Sequence, residues 1–332
     1  MVAPNIMSHA TTMLLFSIAL IAGLILLVMS SDKFIEHSAL VAEKLNVNPM
    51  VIGITLVAFG TSAPEMVVSA IAAFDNAPEI AIGNVLGSNI ANIALVLGVT
   101  LLFSAIPVAK GLSTKEVPLV LAITVLVGVL LFDQALTTWD GIILILAFVV
   151  ILTLLLRGNK DLEAELQDSL PEEDDSSIGK SIVIAVIGLA ILIGSSKLLV
   201  WGAIGIATAL GVSELVIGLT IVAVGTSLPE LAASVSSVRK GHHDIAIGNI
   251  LGSNIFNLAT VLPLPALIAP GLIDNSVVAR DYPWVLGLTA ALAIAVFVFQ
   301  RSKNNRVPRW IGLPLILSYA AYLLIVSTSS VA

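Results

Sequence analysis

Residues 51–65 of this chain read VIGITLVAFGTSAPE, and residues 216–230 read VIGLTIVAVGTSLPE, so the two stretches are identical at eleven of fifteen positions. The offset between them is 165 residues. At the same offset, EIAIGNVLGSNIANIA (79–94) recurs as DIAIGNILGSNIFNLA (244–259), with twelve of sixteen positions identical. Two linked segments that recur at one spacing indicate a duplicated unit rather than chance similarity. We therefore expect two copies of one structural unit.

The two copies lie in an unusually apolar chain of 332 residues, of which 58% are hydrophobic and 11% are charged, with a mean hydropathy of +1.07. Soluble domains are about a quarter charged, so this composition excludes a water-soluble fold. Apolar runs of about 20 residues are long enough for membrane helices, whereas barrel strands need only about 10 alternating residues. Ten spans are predicted, at residues 11–31, 49–73, 79–103, 117–132, 139–156, 180–200, 214–237, 244–268, 283–300 and 310–327.

Each copy contains five spans, and because five is an odd number the second copy must enter the membrane in the opposite orientation. The predicted fold is an all-α membrane protein of ten transmembrane helices, built as two inverted five-helix repeats at residues 1–157 and 180–332. Secondary transporters commonly have this architecture, with the substrate near the bilayer midplane. Residues 158–179 hold eight acidic residues and one lysine, which predicts an acidic cytoplasmic linker. A regulatory Ca²⁺ sensor is the alternative, although the segment lacks the EF-hand spacing.

The basic residues predict the orientation in the membrane. Thirteen of the fifteen Lys and Arg residues follow odd-numbered spans, and basic loops favour the cytoplasmic side. Both termini are therefore expected outside. The first span is expected to be a retained helix, because residues 1–10 contain no Lys or Arg and the stretch lacks the features of a secretory signal.

The string GTSxPE supplies the most conspicuous polar groups within the spans. In the first copy, Thr61, Ser62 and Glu65 share one helix face. Pro64 frees the carbonyl of Gly60 and should bend the helix there. A carboxylate inside the bilayer costs at least a few kcal/mol, so it is interpreted first as functional, with a protonated packing residue as the alternative. The second copy repeats this set with Gly225, Thr226, Ser227, Pro229 and Glu230.

A stripe of neutral polar side chains accompanies each carboxylate. Asn84, Ser88 and Asn92 recur every four residues and so follow one helix face. The equivalent residues in the second copy are Asn249, Ser253 and Asn257. These side chains are either cation ligands or hydrogen bonds between helices. Asn84 and Asn249 are predicted to be the structural ones, and the remaining four are predicted to be ligands.

Glycines at small-xxx-small spacing lie in the same segments, Gly83 with Gly87 and Gly248 with Gly252. Residues of this size let two helices approach closely. We therefore predict close helix packing at both pairs.

Oxygen ligands of these kinds suit Ca²⁺ and Na⁺ rather than Zn²⁺ or Cu²⁺, and the chain has no cysteine. Two carboxylates nearly neutralise one Ca²⁺ and would repel each other in an empty site, so refilling by Na⁺ or H⁺ predicts obligatory exchange. A passive channel is a second hypothesis. A third is an intramembrane hydrolase using Ser62 or Ser227, but neither string offers a His or Lys base. No enzymatic activity, cofactor or nucleic-acid partner is expected.

The paired strings GTSAPE with GNVLGSNIAN, and GTSLPE with GNILGSNIFN, resemble the alpha-repeats of the calcium/cation antiporter superfamily, and within it the prokaryotic sodium/calcium exchanger branch. The resemblance implies a Ca²⁺/Na⁺ antiporter with multiple spans in the inner membrane of a bacterial or archaeal cell, functional as a monomer. Ca²⁺/H⁺ or other cation/H⁺ exchange at the same site is the alternative.

The resemblance also implies which residues hold the ions. Backbone carbonyls at Ala58 and Ala223 join the side chains of Thr61, Ser62, Glu65, Ser88, Asn92, Thr226, Ser227, Glu230, Ser253 and Asn257. Spans 1 and 6 would be long tilted helices, near residues 11–45 and 180–210, that slide against the core. Sodium-coupled relatives often have an acidic residue at one of the positions occupied here by Asn92 and Asn257. Two carboxylates instead of three leave the number of Na⁺ ions and the coupling ion open.

Overall fold

The computed structural model describes residues 9–45, 47–109, 111–157, 178–211 and 223–329. Nearly all of the predicted linker and the start of the predicted seventh span lie outside these residues. The helices are α1 His9–Lys44, α2 Pro49–Thr61, α3 Ala63–Phe74, α4 Pro78–Phe103, α5 Leu112–Asp133, α6 Thr138–Arg157, α7 Ile178–Ala209, α8 Ala223–Thr226, α9 Leu228–Arg239, α10 His243–Ile268, α11 Val277–Gln300 and α12 Gly312–Ser329. The strands are β1 Ile106–Pro107, β2 Ala135–Leu136, β3 Gly271–Leu272 and β4 Arg306–Val307.

Eight helices within the described residues are long and apolar enough to cross a membrane, and α2 with α3 forms a bent pair that makes a ninth candidate. They correspond to nine of the ten predicted spans. The other predicted span, 214–237, is described only from Ala223 onward, where α8 and α9 form its second half. The chain is therefore a helical membrane protein that crosses the bilayer several times.

Two helices begin earlier than the sequence predicted. The predicted spans start at residues 117 and 283, whereas α5 and α11 each open with a π-helical turn, at Leu112–Glu116 and Val277–Asp281. Both turns contain charged residues, which a search for apolar runs leaves out. The acidic residue that ends each turn is nevertheless buried, so its carboxyl group lies within the protein rather than in lipid.

The long helices α1 and α7 cross at two glycines. A Cβ atom built on Gly23 would lie 2.7 Å from the backbone nitrogen of Leu199, and one built on Gly188 would lie 3.1 Å from that of Phe34. Glycine permits this approach because it has no side chain. At the 165-residue offset, Gly188 is the equivalent of Gly23 and Leu199 is the equivalent of Phe34. Each of the two contacts is therefore the repeat equivalent of the other.

The short strands close the two ends of the bundle. Strand β1 pairs with β4, and β2 pairs with β3, both antiparallel. Helix α5 runs from the β1 end to the β2 end, so the two strand pairs lie at opposite ends. β1 and β3 are equivalent positions of the two copies, and they lie at opposite ends of the bundle.

The centre of the molecule is formed by α4 and α10. In their most apolar windows, 78% and 94% of residues are buried, against 39% or less for the other spanning helices. These are the two helices that carry the predicted polar stripes. In α10 the glycine, asparagine and serine residues of the repeated string are buried, whereas in α4 the serine and the last two asparagines are buried and Gly83 is exposed.

Candidate functional site

Each copy breaks its helix at the serine of the GTSxPE string. Ser62 has φ −82° and ψ 2°, Ser227 has φ −90° and ψ 6°, and both values depart from helical geometry. The next helix follows at once with Pro64 or Pro229 in its first turn. In the first copy the two halves are bent by 46°. The predicted proline-induced bend is confirmed there, and the same break recurs in the second copy.

The carbonyl predicted to be freed by Pro229 already has a partner. Ser196 Oγ, from α7, donates a hydrogen bond of 3.0 Å to the Gly225 carbonyl. The Gly60 carbonyl is approached by the backbone N–H of Ser62. The Gly225 oxygen is therefore not free for an ion, and its hydrogen bond ties α7 to the centre of the protein.

The two carboxyl groups meet in the interior. Glu65 and Glu230 are each only 1% exposed. Ser62 Oγ, from the first copy, donates to Glu230 Oε1 of the second copy at 3.3 Å. The Glu65 side chain is near enough to Glu230 to interact with it electrostatically. The duplicated strings therefore build one site rather than two separate ones.

Ser88 and Asn92 extend this site along α4. Ser88 lies beside the Glu65 carboxyl group. Asn92 donates from Nδ2 to Asn254 Oδ1 on α10 at 3.3 Å. The two central helices thus contact each other directly through their polar faces.

Several buried side-chain oxygens around the carboxyl groups have no hydrogen-bond partner within the described part of the chain. They are Oε2 of Glu65 and Glu230, Oδ1 of Asn89, Asn92 and Asn257, and Oγ of Ser227 and Ser253. Buried polar atoms in proteins are normally paired, so a group of unpaired oxygens needs an explanation. Carboxylate, amide and hydroxyl oxygens are the preferred ligands of hard cations. The donor set fits a Ca²⁺ or Na⁺ ion as substrate.

The predicted structural asparagines link helices as expected. Asn84 Nδ2 donates to the Glu65 carbonyl at 3.3 Å and to Ser69 Oγ at 3.0 Å. Asn249 Nδ2 donates to the Glu230 carbonyl at 3.2 Å and to Ser234 Oγ at 2.9 Å. The sequence analysis did not single out the two serines, although they too recur at the offset of 165 residues.

The other predicted ligand residues lie in the helical segments that precede the two breaks. Thr61 is fully buried and donates from Oγ1 to Asn249 Oδ1 at 3.0 Å. The Ala58 carbonyl accepts the Ser62 N–H at 2.9 Å. Thr226 lines a cavity described below, and Ala223 is the first residue of α8. The structure thus places Thr61 and Ala58 at the centre, beside the first copy's break.

Sequence reasoning missed a further asparagine pair, Asn89 and Asn254, each 1% exposed. Both belong to the repeated string GSNIxN, and that repetition was the available signal. The sequence also gave no warning that π-helical turns begin at Asn92 and Asn257. A π turn inside an α-helix often marks a functional site. Here each turn starts at the last residue of a polar stripe.

A cavity of about 230 Å³ lies beside the site, on the side where α11 begins. Ser88, Thr226, Asp281, Tyr319 and Tyr322 are among the residues that line it. A larger and mainly apolar cavity of about 440 Å³ lies between α3 and α7.

The glycine prediction is confirmed for the second copy. A Cβ atom on Gly248 would lie 2.6 Å from the Met50 carbonyl oxygen, and one on Gly252 would lie 2.5 Å from that of Ile54. In the first copy, Gly83 and Gly87 line the 230 Å³ cavity instead. The segment equivalent to α2 lies outside the described residues, so packing at these two glycines stays a prediction.

Comparison with known proteins gives a consistent answer. The family model described as sodium/calcium exchanger protein matches residues 15–157 and 180–328. A putative antiporter CaxA from Alkalimonas amylolytica is 43% identical over 316 residues, covering 93% of this chain and 98% of that protein. The inner membrane protein YrbG from Escherichia coli is 38% identical, covering 88% and 91%.

A solved structure shows the same fold. The sodium-calcium exchanger NCX_Mj, in crystals soaked with Na⁺ and Sr²⁺, superposes with a TM-score of 0.80 at 32% sequence identity. The match covers 94% of this chain and 98% of that one. The matched residues 15–157 and 180–328 hold both copies of the repeated strings.

Proposed function

This chain belongs to the sodium/calcium exchanger protein family, and on that premise we propose that it exchanges Ca²⁺ for Na⁺ across the cytoplasmic membrane by alternating access. One relative is named a putative antiporter and the solved structure is that of a sodium-calcium exchanger, and we propose no enzymatic activity and no cofactor for this chain. The transported ions are the substrates.

One observation carries the proposal: two buried carboxyl groups, from opposite copies, share a site in which several other buried oxygens lack hydrogen-bond partners within the described residues. Two negative charges confined in a low dielectric repel each other strongly unless a cation lies between them. An empty site is therefore an unfavourable species to carry across the membrane. Replacement of Ca²⁺ by another cation avoids it, and this is the physical basis of exchange.

We propose that twelve residues hold the ions. Ten contribute side chains and two contribute backbone carbonyls: Ala58, Thr61, Ser62, Glu65, Ser88, Asn92, Ala223, Thr226, Ser227, Glu230, Ser253 and Asn257. The burial of the carboxyl groups and the unpartnered oxygens of both asparagines support this set. Both copies contribute equally, so a monomer contains a complete site.

The proposed architecture has ten spans in two inverted repeats. Three relationships support it. The contact of Gly23 with Leu199 is the repeat equivalent of the contact of Gly188 with Phe34. The equivalent strands β1 and β3 lie in strand pairs at opposite ends of the bundle, and the helix breaks at Ser62 and Ser227 match. The seventh span would be the predicted stretch 214–237, of which α8 and α9 are the described part, and the acidic linker would be cytoplasmic.

The proposed orientation puts both termini outside, in the inner membrane of a bacterial or archaeal cell. The chain contains no cysteine, so single cysteines can test it directly. Asn275→Cys, at the end where α11 begins, should react with a membrane-impermeant maleimide on intact cells. Asn304→Cys, beyond the other end of α11, should react only after permeabilisation. The reverse pattern would refute this orientation.

A second candidate is Ca²⁺/H⁺ exchange at the same site. It is favoured by one feature, the neutral residues Asn92 and Asn257, which leave only two carboxyl groups in the site. Protonation could neutralise two carboxylates as effectively as bound Na⁺. The alternative therefore shares every proposed ligand and differs only in the coupling ion.

Counter-ion dependence of flux separates the candidates. The purified protein should be reconstituted in vesicles and the uptake of Ca²⁺ measured in two experiments. In the first, the vesicles are loaded with Na⁺ and the pH is the same on both sides. In the second, Na⁺ is absent and a pH gradient is applied. Na⁺/Ca²⁺ exchange predicts uptake in the first experiment. Uptake in the second alone would establish the proton-coupled alternative, and uptake without any counter-ion would refute exchange.

A further inference from the structure

A further pair of asparagines is buried at the centre of the molecule. Asn89 and Asn254 belong to the repeated string GSNIxN and are equivalents at the 165-residue offset. Each is only 1% exposed, Asn89 on α4 and Asn254 on α10. Neither is among the residues proposed to hold the ions. Burying an amide costs free energy unless it is hydrogen-bonded, so the partners of these side chains indicate what they do.

Asn254 is bonded to one of the proposed ligands. Asn92 Nδ2 donates to Asn254 Oδ1 at 3.3 Å. This bond engages the nitrogen of the Asn92 amide, whereas its Oδ1 has no hydrogen-bond partner within the described residues. Asn92 is itself 1% exposed. The end of this amide that can bind a cation is therefore the end that the described protein leaves free.

The orientation of an asparagine amide decides whether it can be a cation ligand. Its oxygen accepts, whereas its nitrogen carries two hydrogens and only donates. Ca²⁺ and Na⁺ bind the oxygen. A half-turn about the last side-chain bond exchanges the two atoms, and a fixed acceptor for the nitrogen prevents that turn. Outer partners act in the same way at metal sites, where they fix which atom of a histidine faces the metal.

The acceptor lies on a helix that is itself held in place. A π-helical turn begins at Asn92 and packs against α10. Helix α10 is in turn fixed against α2, because Gly248 and Gly252 lie close to backbone carbonyls of that helix. An orienting group must be rigid to be effective, and Asn254 meets this requirement.

The second copy has no such bond among the described residues. Asn89 donates from Nδ2 to the Val85 carbonyl of its own helix at 2.8 Å. Neither its Oδ1 nor the amide of Asn257, the equivalent of Asn92, has a partner within the part of the chain that the structure describes. The orienting contact is thus assigned to Asn254 and Asn92 alone.

We propose that Asn254 is a positioning residue for ion binding: its side-chain oxygen holds the nitrogen of Asn92, so that the oxygen of Asn92 faces the ion. Asn254 acts through Asn92 and does not bind the ion itself. The inference rests on the proposed function, because it requires Asn92 to be a ligand. It also gives the two copies a second polar contact at the site, in addition to that of Ser62 with Glu230.

The test is equilibrium binding of Ca²⁺ to the purified protein in detergent, without Na⁺ and at one pH. Asn254→Ala removes the acceptor and should weaken Ca²⁺ binding roughly tenfold, as loss of an orienting partner does at metal sites. In an Asn92→Ala background the same substitution should change the dissociation constant less than about twofold, since no amide is left to orient. A direct ligand, or a residue with only a structural role, would weaken binding in both backgrounds.

Two further variants at this position separate the acceptor from the size of the side chain. Asn254→Asp keeps an acceptor oxygen and replaces only the nitrogen, which has no partner within the described residues. Its Ca²⁺ binding should be within about threefold of the parent or tighter, since an added carboxylate favours the cation. Asn254→Leu keeps the approximate size without an acceptor, so it should weaken binding as Asn254→Ala does, even if the alanine variant fails to fold.

Thr100→Val is the matched control on α4. It removes a fully buried hydroxyl group that donates to the Val96 carbonyl of the same helix, and it should leave Ca²⁺ binding unchanged. Equal losses in both backgrounds, unchanged binding in Asn254→Leu, or a loss in Asn254→Asp as large as in Asn254→Leu would each overturn the inference. A parent protein that binds no Ca²⁺ would instead refute the proposed function on which the inference rests.

Discussion

Ser62 donates a hydrogen bond of 3.3 Å to Glu230, and so joins the break of one repeat to the carboxyl group of the other. The equivalent oxygen in the second copy, Ser227 Oγ, has no partner within the described residues. The two halves of the site are therefore built from the same residues but are bonded differently.

The two carboxyl groups should be individually indispensable. Glu65→Gln and Glu230→Gln each remove one negative charge from a buried site without changing its size. Removing one partner of a buried charge interaction costs about 3 to 5 kcal/mol, so Ca²⁺ uptake at low Ca²⁺ should fall by about 100-fold or more. Uptake into Na⁺-loaded vesicles is the measurement. Glu43→Gln, whose carboxyl group is exposed on α1, should behave as the parent, and full activity in either site variant would refute the assigned role.

Much of this site could be predicted because both copies repeat it. The proline in each string around Glu65 and Glu230 predicted the helix breaks, since the effect of proline on a helix is local. The spacing of Asn84 and Asn249 gave their bridging role, since a four-residue interval keeps side chains on one helix face. Both features depend only on neighbouring residues in the chain.

The differences between the copies could not be predicted, because they depend on contacts between distant segments. The sequence does not reveal that Ser196 donates a hydrogen bond to the Gly225 carbonyl. Nor does it reveal that Lys115 donates to the Leu155 carbonyl, whereas its equivalent Arg280 pairs with Asp281. A search for apolar runs also excluded the first turns of α5 and α11. The acidic residues that end those turns are buried within the protein, which a search for apolar runs cannot show.

Adding a third carboxyl group should change the coupling. Asn257→Asp introduces a negative charge beside two others, which can be balanced by a further bound Na⁺. The Hill coefficient for Na⁺-dependent Ca²⁺ release should rise by about one, since carboxylate count tunes cation binding. Asn92→Asp, its equivalent in the first copy, should act in the same direction. Asn305→Asp, on the exposed turn before β4, is the control, and an unchanged Hill coefficient in both site variants would contradict this account of the missing acidic residue.

The bridging asparagines should differ in their contribution to stability. Asn249 is fully buried and bonds Thr61, the Glu230 carbonyl and Ser234. Asn249→Ala would leave these groups unpaired, at a cost of about 1 to 3 kcal/mol each in a buried setting. Among the contacts of the described residues, Asn84→Ala removes the bonds to the Glu65 carbonyl and to Ser69, at a half-buried position. Thermal unfolding of the purified protein in detergent should show a larger loss for Asn249→Ala, and equal losses would contradict the stated roles.

Close packing of α10 on α2 should tolerate no added methyl group. A Cβ atom at Gly252 would lie 2.5 Å from the Ile54 carbonyl oxygen, so Gly252→Ala must push α2 away. Because α2 carries Thr61 and Ala58, this displacement should lower both the unfolding temperature and the apparent affinity for Ca²⁺. The matched control is Gly287→Ala in α11, where a Cβ atom meets no described atom within 4 Å and alanine is the better helix former by about 1 kcal/mol. That variant should be as stable as the parent or slightly more so. If Gly252→Ala matched it in both measurements, α10 and α2 would have to be further apart than the structure places them.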